Sequence, residues 1–319
     1  MADNQIILQQ NIPSELAGQR LDQVLANLFP QYSRSLLQNW IKQGWVQLDD
    51  KTITKMSVKV QSNQSIVVKA EIKPQEHWQA QQIPLNIIFE DEAILIINKP
   101  VGLIVHPGAG NPDNTMVNAL LHYEPKLAHV PRAGIIHRLD KDTSGLLIVA
   151  KTLESHHALT SAMKNRAIKR EYLGIVKGQL LTSGTIEAPL GRHPSQRTRM
   201  AVIPLGQPAI THYRVLERFN AHTYLQIELE TGRTHQIRVH MAHIRHSLVG
   251  DPLYGKHIAA AGKLPEPVRQ ILQQFKRQAL HAFRLSLQHP ISDKPLSFEA
   301  TLPEDMQQLL NSLREWTNA

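Results

Sequence analysis

The sequence predicts an α+β protein in at least two parts, and three observations support this. Its 319 residues exceed the size, about 250 residues, at which a single hydrophobic core usually stops growing. Hydrophobic residues make up 42% and charged residues 19% of the chain, which is ordinary globular usage and excludes disorder of the whole. Apolar runs typical of buried strands are separated by irregular stretches rich in Gly and Pro. We expect a largely antiparallel or mixed β-sheet with flanking helices rather than a regular βαβ array.

The first 70 residues predict a small module of two helices and short strands. Apolar residues recur at helical spacing from Leu21 to Leu28 and again from Leu36 to Ile41. Ser33 is placed to cap the second helix and Gly44 to end it. Residues 45–48 alternate as in a strand, residues 49–51 form a turn, and residues 58–68 supply further strand material. We therefore predict a module over 1–70.

A glutamine-rich stretch between two prolines predicts a linker at 71–84, followed by a second domain at 85–319. This domain contains runs that suit buried or half-buried strands and two patterns that suit helices. The predicted strands are Ile94–Ile97, Leu146–Ala150, Tyr172–Val176 and Leu225–Leu229, and the predicted helices are Pro267–Phe275 and Glu304–Trp316.

Charge and cysteine content narrow the function classes. Lys and Arg number 35 against 27 Asp and Glu, a formal net charge of +8, which favours a polyanionic partner, nucleic acid before a membrane surface. Because the chain has no cysteine, disulfide frameworks, cysteine nucleophiles, thiolate zinc sites and iron–sulfur clusters are excluded. No signal-type segment and no apolar run of about 18 residues occurs, so we expect a cytoplasmic protein without a membrane partner.

The polar loop His137–Gly145 precedes a fully apolar run and is the most informative segment. Asp140 lies in this loop with cationic neighbours at Arg138 and Lys141. A carboxylate held there by a rigid strand would stay ionised and could act as a nucleophile. The alternative is an ordinary turn, which also favours Asp and Ser.

Two further segments contain candidate functional groups. In Thr231–His240, Thr234 could cap a helix whose first turns carry Arg238, and that arginine could pair with a carboxylate from elsewhere. An ordinary basic surface helix is the alternative. In Lys169–Tyr172, a tyrosine stands at the start of a predicted strand, where a purely structural core role is equally compatible.

Other chemistries are less well supported by the residues. Four histidines at 235, 240, 243 and 246 lack a His-Glu-x-x-His pattern, and we predict neither a metal site nor a cofactor. Gly108–Gly110 resembles part of a phosphate loop, but the Lys and Ser or Thr that should follow are missing, so a tight turn is favoured. The evidence that Asp140 and Asp142 form the catalytic pair of a glycosidase is weak. The two carboxylates of such an enzyme normally flank the scissile bond from opposite sides.

The loop at 137–145, the segment Arg170–Tyr172 and the segment 231–240 together resemble the motifs of the pseudouridine synthases that modify ribosomal and transfer RNA. The segments at 107–113, 195–200 and 248–255 are similar to those of the ribosomal large-subunit enzymes. Arg20-Leu21-Asp22 and the residues after it resemble the small RNA-binding domain shared with ribosomal protein S-four. The resemblance covers nearly the whole chain.

This resemblance implies roles for four residues. Asp140 matches the catalytic aspartate that attacks the target nucleoside, so that the base detaches, rotates and rejoins through carbon. Whether the ribose or the uracil ring is attacked stays open. Arg238 matches the arginine that pairs with this aspartate, and Tyr172 the tyrosine that packs on the base and takes the proton from its carbon-5. Arg138 matches the arginine that fills the gap left by the flipped nucleotide.

The resemblance also implies a substrate, namely uridine in a stem-loop of large-subunit ribosomal RNA or its assembly precursor, modified by a monomer without a cofactor. Further basic residues are candidates for RNA contact: Arg20, Arg34, Lys42, Arg192, Arg197, Arg199 and Arg233. The alternative function is a non-catalytic RNA-binding ribosome-assembly factor, which would use the same cations on the RNA backbone and would be indifferent to Asp140.

Overall fold

The computed structural model describes residues 5–71, 78–108, 110–196, 198–255 and 265–318. The strands are β1 (Gln5–Asn11), β2 (Val46–Leu48), β3 (Lys51–Ile53), β4 (Ser65–Glu71), β5 (Ile87–Glu90), β6 (Ile94–Lys99), β7 (Ser144–Ala150), β8 (Lys169–Lys177), β9 (Gly184–Glu187), β10 (Leu190–Arg192), β11 (Met200–Val202), β12 (Ile210–Arg218), β13 (His222–Leu229), β14 (Leu280–Gln288) and β15 (Pro295–Glu299). The α-helices are α1 (Leu21–Leu28), α2 (Arg34–Lys42), α3 (Met116–Tyr123), α4 (Leu153–Lys164), α5 (Gln236–His243), α6 (Glu266–Gln274) and α7 (Glu304–Asn318).

The amino-terminal module, residues 5–71, has an antiparallel sheet in the order β1-β4-β2-β3, with α1 and α2 contributing to its core. Both predicted helices are confirmed, and the Ser33 hydroxyl accepts a hydrogen bond from the Leu36 amide at 3.3 Å. Gly44 follows α2 with a φ of 75°, as its predicted role at the helix end requires. The strand predicted at 58–68 forms only from Ser65, because Val58 and Val60 instead bond to the chain around α1.

The carboxyl-terminal part of the chain is built on one large sheet in the order β5-β6-β7-β14-β8-β13-β12-β9, with β15 also paired to β14. The β7–β14 pair is parallel and the others are antiparallel, which confirms the predicted α+β class with a mixed sheet. Strand β7 is buried on both faces: Leu147 belongs to the core cluster that includes residues of α3 and α5, and Ile148 to the one that includes Leu159 of α4. The rigid centre of this sheet therefore holds the polar loop that precedes β7.

Helices α3 and α4 were not predicted. Each begins at a capping box, Thr115 with Asn118 and Thr152 with Ser155, in which each residue's side chain bonds the other's backbone. α3 buries six of its eight residues, so it shows no amphipathic period, whereas α4 buries only two residues.

Part of the predicted linker contacts the carboxyl-terminal domain. Residues 78–84 have no regular secondary structure, but the Gln79 carbonyl accepts a hydrogen bond from the Asn118 side chain at 2.7 Å and the Gln81 amide donates to the Asn118 carbonyl at 3.0 Å. Residues 72–77 of the predicted linker lie outside the described residues. Within the described ranges, none of the helices combines the length and the apolar character needed to cross a lipid bilayer.

Candidate active site

The loop that carries Asp140 is held from two sides. Lys99, fully buried at the end of β6, donates from Nζ to the carbonyls of Pro100, Leu103 and Lys141 at 2.8, 2.9 and 2.8 Å. Burial lowers the pKa of Lys99 to about 8, which still leaves it mostly charged at neutral pH. From the other side, Gln278 donates to the Thr143 hydroxyl at 3.0 Å. The loop is therefore fixed at Lys141 and Thr143, directly after Asp140.

Arg238 joins Asp140 to a second carboxylate, Asp251. Its Nη1 donates to Asp140 Oδ2 at 2.9 Å, while Nε and Nη2 donate to the two oxygens of Asp251 at 2.7 and 3.0 Å. Arg238 comes from the first turns of α5, and its side chain is 5% exposed, against 18% for Asp140 and 0% for Asp251. Although burial opposes ionisation of Asp251, its hydrogen bonds with Arg238 hold its pKa below the usual value. The predicted pairing of Arg238 with a carboxylate is thus present, at Asp140 and at Asp251.

Helix α5 begins differently from the prediction. Thr234 is not its cap: the N-cap residue is His235, in the left-handed region with φ 57° and ψ 20°, and its side chain makes no capping hydrogen bond. The Gln236 side chain accepts from the Arg233 amide, which precedes the helix, at 3.0 Å and donates to the Ile210 carbonyl at 2.9 Å. Sequence reasoning favoured Thr234 because threonine is a common cap, but Gln236 ties this loop to β12 instead.

Tyr172 and Arg170 lie two residues apart on β8, so both side chains point to the same face of the sheet, and both line the cleft beside Asp140. Tyr172 is the fourth residue of β8 rather than its first, and it is 5% exposed. Burial raises the pKa of its phenol, so Tyr172 is protonated at neutral pH. Arg170 is also buried, and its Nε has no hydrogen-bond partner among the described residues.

The cleft has a volume of about 750 Å³ and an excess of positive charge. Its charged lining residues are Arg132, Arg138, Asp140, Lys164, Arg166, Arg170, Glu230, Arg233 and Arg238. A second cleft of about 390 Å³ shares Arg138, Asp140, His235 and Arg238 with the first. Asp140 therefore lies between two openings with cationic walls, as a group that acts on a polyanion should.

Of the predicted RNA-contact residues, Arg138 and Arg233 are exposed on this cleft. The others that the structure describes do not line it. Arg20 and Arg34 are about half exposed and pair with the buried Asp22 at 3.0 and 2.7 Å. Lys42 is exposed near the end of α2. Arg192 is exposed at the end of β10 and Arg199 is half-buried just before β11, while Arg197 lies outside the described residues.

Three of the four clustered histidines have separate hydrogen-bond partners. His235 bonds Tyr254, His240 bonds Thr211 and the Ala188 carbonyl, and His246 bonds the Lys177 carbonyl. The predicted tight turn is confirmed at 108–111, where Gly108 and Asn111 exchange backbone hydrogen bonds at 2.9 Å; Ala109 lies outside the described residues.

Sequence reasoning assigned no role to three residues that shape the site: Lys99, Asp251 and Tyr254. Tyr254 packs its ring against Arg238, whose Cζ lies 5.2 Å from the ring centroid, and its hydroxyl lies 2.8 Å from His235 Nδ1. The Lys99-Pro100 ending of an apolar strand was a usable signal, because a lysine in such a run needs carbonyl partners. No spacing rule connects Asp251 to Arg238, since the contact depends on how the chain returns after α5.

Comparison with known proteins agrees with this geometry. A sequence profile described as RNA pseudouridylate synthase matches residues 93–243, and a profile described as S4 domain matches residues 19–66. The chain is 50% identical over 310 residues to a protein named ribosomal large subunit pseudouridine synthase D from Yersinia pestis, covering 97% of this chain and 95% of that one. It is 51% identical over 304 residues to the protein of the same name from Pseudomonas aeruginosa, covering 95% of each chain.

Solved structures agree at the level of the fold. Human RNA pseudouridylate synthase domain containing 4 superposes with a TM-score of 0.56 at 24% identity, covering 72% of this chain and 93% of that one. Human RNA pseudouridylate synthase domain containing 1 gives a TM-score of 0.51 at 23% identity, covering 74% and 96%. The relatives are about 50% identical over nearly the full length of the chain, and the S4 profile match precedes the pseudouridylate synthase match. The chain therefore belongs to the RNA pseudouridine synthase family.

Proposed function

We propose that this enzyme isomerises uridines in a stem-loop of large-subunit (23S) ribosomal RNA or its assembly precursor, with Asp140 as the nucleophile. The contact between Asp140 and Arg238 carries the proposal: Oδ2 is occupied by the guanidinium at 2.9 Å, whereas the nearest charged or titratable partner of Oδ1 is His235 Nε2 at 3.9 Å. A carboxylate held through one oxygen and open at the other suits nucleophilic attack. Oδ1 is therefore the reacting oxygen.

In an attack on the ribose, Asp140 Oδ1 bonds to C1′ as the bond between C1′ and uracil N1 breaks, and the Oδ1–C1′ bond breaks in turn when C1′ bonds to C5. The electron pair of the broken bond stays on the uracil, C5 finally loses its hydrogen as a proton, and N1 gains a proton, so no redox partner is needed. The free uracil must turn without leaving, and a buried wall of the cleft favours that. Tyr172 supplies this wall as a stacking surface. The family resemblance also assigns removal of the C5 proton to Tyr172, which requires its phenol, kept protonated by burial, to give up its own proton first.

Access to the glycosidic bond requires the nucleotide to leave the helix stack, at a cost of a few kcal/mol. Arg138 is exposed beside Asp140 and lines both clefts, which suits a cation that occupies the gap left by the flipped nucleotide. Arg233 adds positive charge on the same cleft. These placements support a flipped uridine in the larger cleft and the RNA backbone along its cationic rim.

RNA binding at a distance from the cleft is assigned to Arg20, Arg34 and Lys42 in the amino-terminal module and to Arg192, Arg197 and Arg199 around the β10–β11 hairpin. We propose domain limits of 1–70 for the module, 71–84 for the linker and 85–319 for the catalytic domain, acting as a monomer. The names of the relatives from Yersinia pestis and Pseudomonas aeruginosa support the large-subunit RNA as substrate.

Tritium released from uracil C5 tests the substrate assignment. Unmodified large-subunit RNA, small-subunit RNA and transfer RNA, each labelled at C5, are incubated with the native enzyme, and the assembly precursor is included as a further large-subunit substrate. We expect release from a large-subunit substrate alone. Equal or faster release from small-subunit or transfer RNA would overturn the assignment while leaving the isomerase activity intact.

A further inference from the structure

We propose that His235 is a further catalytic residue, a neutral imidazole that donates a hydrogen bond from Nε2 to a carbonyl oxygen of the departing uracil. The inference rests on the proposed role of Asp140 as the nucleophile. Its basis is the arrangement of three side chains, Asp140, His235 and Tyr254, around the open oxygen of the carboxylate.

The imidazole of His235 lies near the open oxygen of Asp140. His235 Nε2 lies 3.9 Å from Asp140 Oδ1, too far for a hydrogen bond, and makes none elsewhere within the described residues. A carbon atom in contact with Oδ1 would bring the uracil attached to it close to Nε2. The His235 backbone is in the left-handed region at φ 57°, which is strained for a side chain with a Cβ and is the kind of outlier that functional sites retain.

The hydrogen bonds of Tyr254 determine which ring nitrogen of His235 carries the proton. The Tyr254 oxygen already accepts a hydrogen bond from the Met200 amide at 2.9 Å, and a backbone N–H can only donate. The phenol proton is therefore free to point at His235 Nδ1, 2.8 Å away. That leaves the ring proton of a neutral imidazole on Nε2, facing Asp140. The opposite tautomer would turn a bare nitrogen lone pair toward a carboxylate, which is electrostatically unfavourable.

The surroundings of His235 favour the uncharged form of its imidazole. Burial lowers the pKa of His235, and the nearby carboxylate of Asp140 opposes this only in part. The imidazole is thus neutral at neutral pH. As a neutral donor it does not neutralise the nucleophile, yet it can still bind an oxygen on which negative charge develops.

The departing uracil needs a hydrogen-bond donor at a carbonyl oxygen. When the C1′–N1 bond breaks, the electron pair left on N1 is shared with the neighbouring carbonyl oxygen of the ring, and a donor at that oxygen stabilises the leaving group. Arg238 bonds Asp140 at the other oxygen, Oδ2, and three of its five N–H groups are committed to Asp140 and Asp251. His235 Nε2 supplies an uncommitted N–H on the side of Oδ1.

Single-turnover isomerisation of C5-tritiated large-subunit RNA tests the proposal, with RNA affinity and thermal midpoint measured alongside. Because removing one such donor typically costs ~100-fold or more in rate, we expect His235→Leu to lose roughly that factor at unchanged RNA affinity. His235→Gln should recover most of the rate, since the glutamine amide carries an N–H at about the position of Nε2. His243→Leu, an exposed histidine on the same helix, is the matched control and should match the native enzyme.

Tyr254→Phe separates a tautomer effect from a packing effect, because it keeps the ring that contacts Arg238. The loss of rate should be greater in the native background than in the His235→Gln background, since an amide needs no tautomer selection. A His235→Leu rate within threefold of native, or a folded His235→Gln no faster than His235→Leu, would overturn the proposal. Asp140→Asn run in parallel shows whether the underlying function fails as well, since a native rate there contradicts the nucleophile itself.

Discussion

The guanidinium of Arg238 lies between a partly open carboxylate and a fully enclosed one, and the enclosed one determines where the guanidinium points. Asp251 accepts two hydrogen bonds from Arg238 and two more from the backbone amides of Leu253 and Tyr254 at 2.9 and 3.0 Å. With Nε and Nη2 turned toward Asp251, the guanidinium bonds Asp140 through Nη1. At the scale of residues, Asp251 is thus the positioning group of the site.

Asp251→Asn should lower both stability and turnover. Removing the charge from a buried pair leaves Arg238 without its main counter-ion, a change that typically costs ~3 kcal/mol or more. Urea unfolding measures this, and Glu217→Gln is the control, because the Glu217–Arg314 pair is exposed and such pairs contribute less than ~1 kcal/mol. An equal effect of the two substitutions would contradict the account.

The sequence motifs identified Asp140, Tyr172 and Arg238, and the structure brings these three to one cleft. Local patterns made Asp140 and Arg238 candidates, and the family resemblance of their segments and of the Tyr172 segment supplied the roles. Asp251 and the left-handed His235 could not be identified in this way, since a carboxylate buried by tertiary contacts and a backbone forced out of its preferred region leave no local pattern.

At the scale of elements, the start of β7 fixes the loop that carries Asp140. Gly145 has a φ of 113°, and a Cβ added there would lie 2.2 Å from the Ala282 carbonyl oxygen, across the parallel β7–β14 pairing. No other residue type fits without moving β14 away from β7.

Gly145→Ala should therefore destabilise the protein severely, by ~3 kcal/mol or more, or prevent folding altogether. Gly102→Ala is the matched control: Gly102 also has a positive φ, 84°, but an added Cβ meets nothing within 4 Å. Only backbone strain of ~1 kcal/mol is expected there. Chemical denaturation of both variants checks this, and similar losses for both would show that the close approach of the strands is not the cause.

The helix-bearing face of the amino-terminal module depends on Asp22. This buried carboxylate accepts hydrogen bonds from Arg20, Arg34 and Gln38 at distances from 2.7 to 3.3 Å. Burial opposes its ionisation, but the hydrogen bonds from Arg34, Gln38 and Arg20 lower the pKa of Asp22 to about 2. The first turn of α1 therefore fixes two arginines on the surface proposed to bind RNA.

Acid titration of stability tests the Asp22 cluster. A carboxylate with a lowered pKa in the folded state stabilises it above the unfolded-state pKa near 3.8, and that contribution is lost as pH falls toward 2. Asp22→Asn should be less stable at neutral pH and should show a weaker loss of stability between these two values. Identical pH dependence of the two proteins would contradict the assigned hydrogen bonds.

Most elements with a local signal were predicted. α1 and α2 each have an apolar stripe, α2 also has a capping serine and a glycine after its end, and β7 has an uninterrupted apolar run because it is buried on both faces. α3 lacks a stripe because nearly all of it is buried. β1 was missed, since its pairing partner β4 lies more than fifty residues along the chain.

At the scale of the whole molecule, the sheet order depends on long-range pairing. β14, near the carboxyl end, lies between β7 and β8, so the strand after the loop of Asp140 and the strand of Tyr172 are joined through a segment more than a hundred residues later. Sequence patterns predicted the class of the sheet but could not predict this order, because no local signal specifies a distant partner.

Because the chain has a net charge of +8, we expect its affinity for RNA to fall as the salt concentration rises. If Lys42 contacts a phosphate, Lys42→Gln should make the slope of log affinity against log salt shallower by ~0.9. Lys294→Gln, in the β14–β15 turn and absent from the lining of both clefts, is the control for the loss of one charge. An unchanged slope for Lys42→Gln would remove this residue from the proposed RNA surface.

Tritium release from C5-labelled large-subunit RNA shows whether Asp140 is the nucleophile of a uridine isomerase. The native enzyme and Asp142→Asn, a matched loss of a carboxylate two residues away, should release tritium, whereas Asp140→Asn should bind the RNA and release none. Release by Asp140→Asn at the native rate would contradict this role, and RNA binding without release by any of the three proteins would favour a non-catalytic assembly factor.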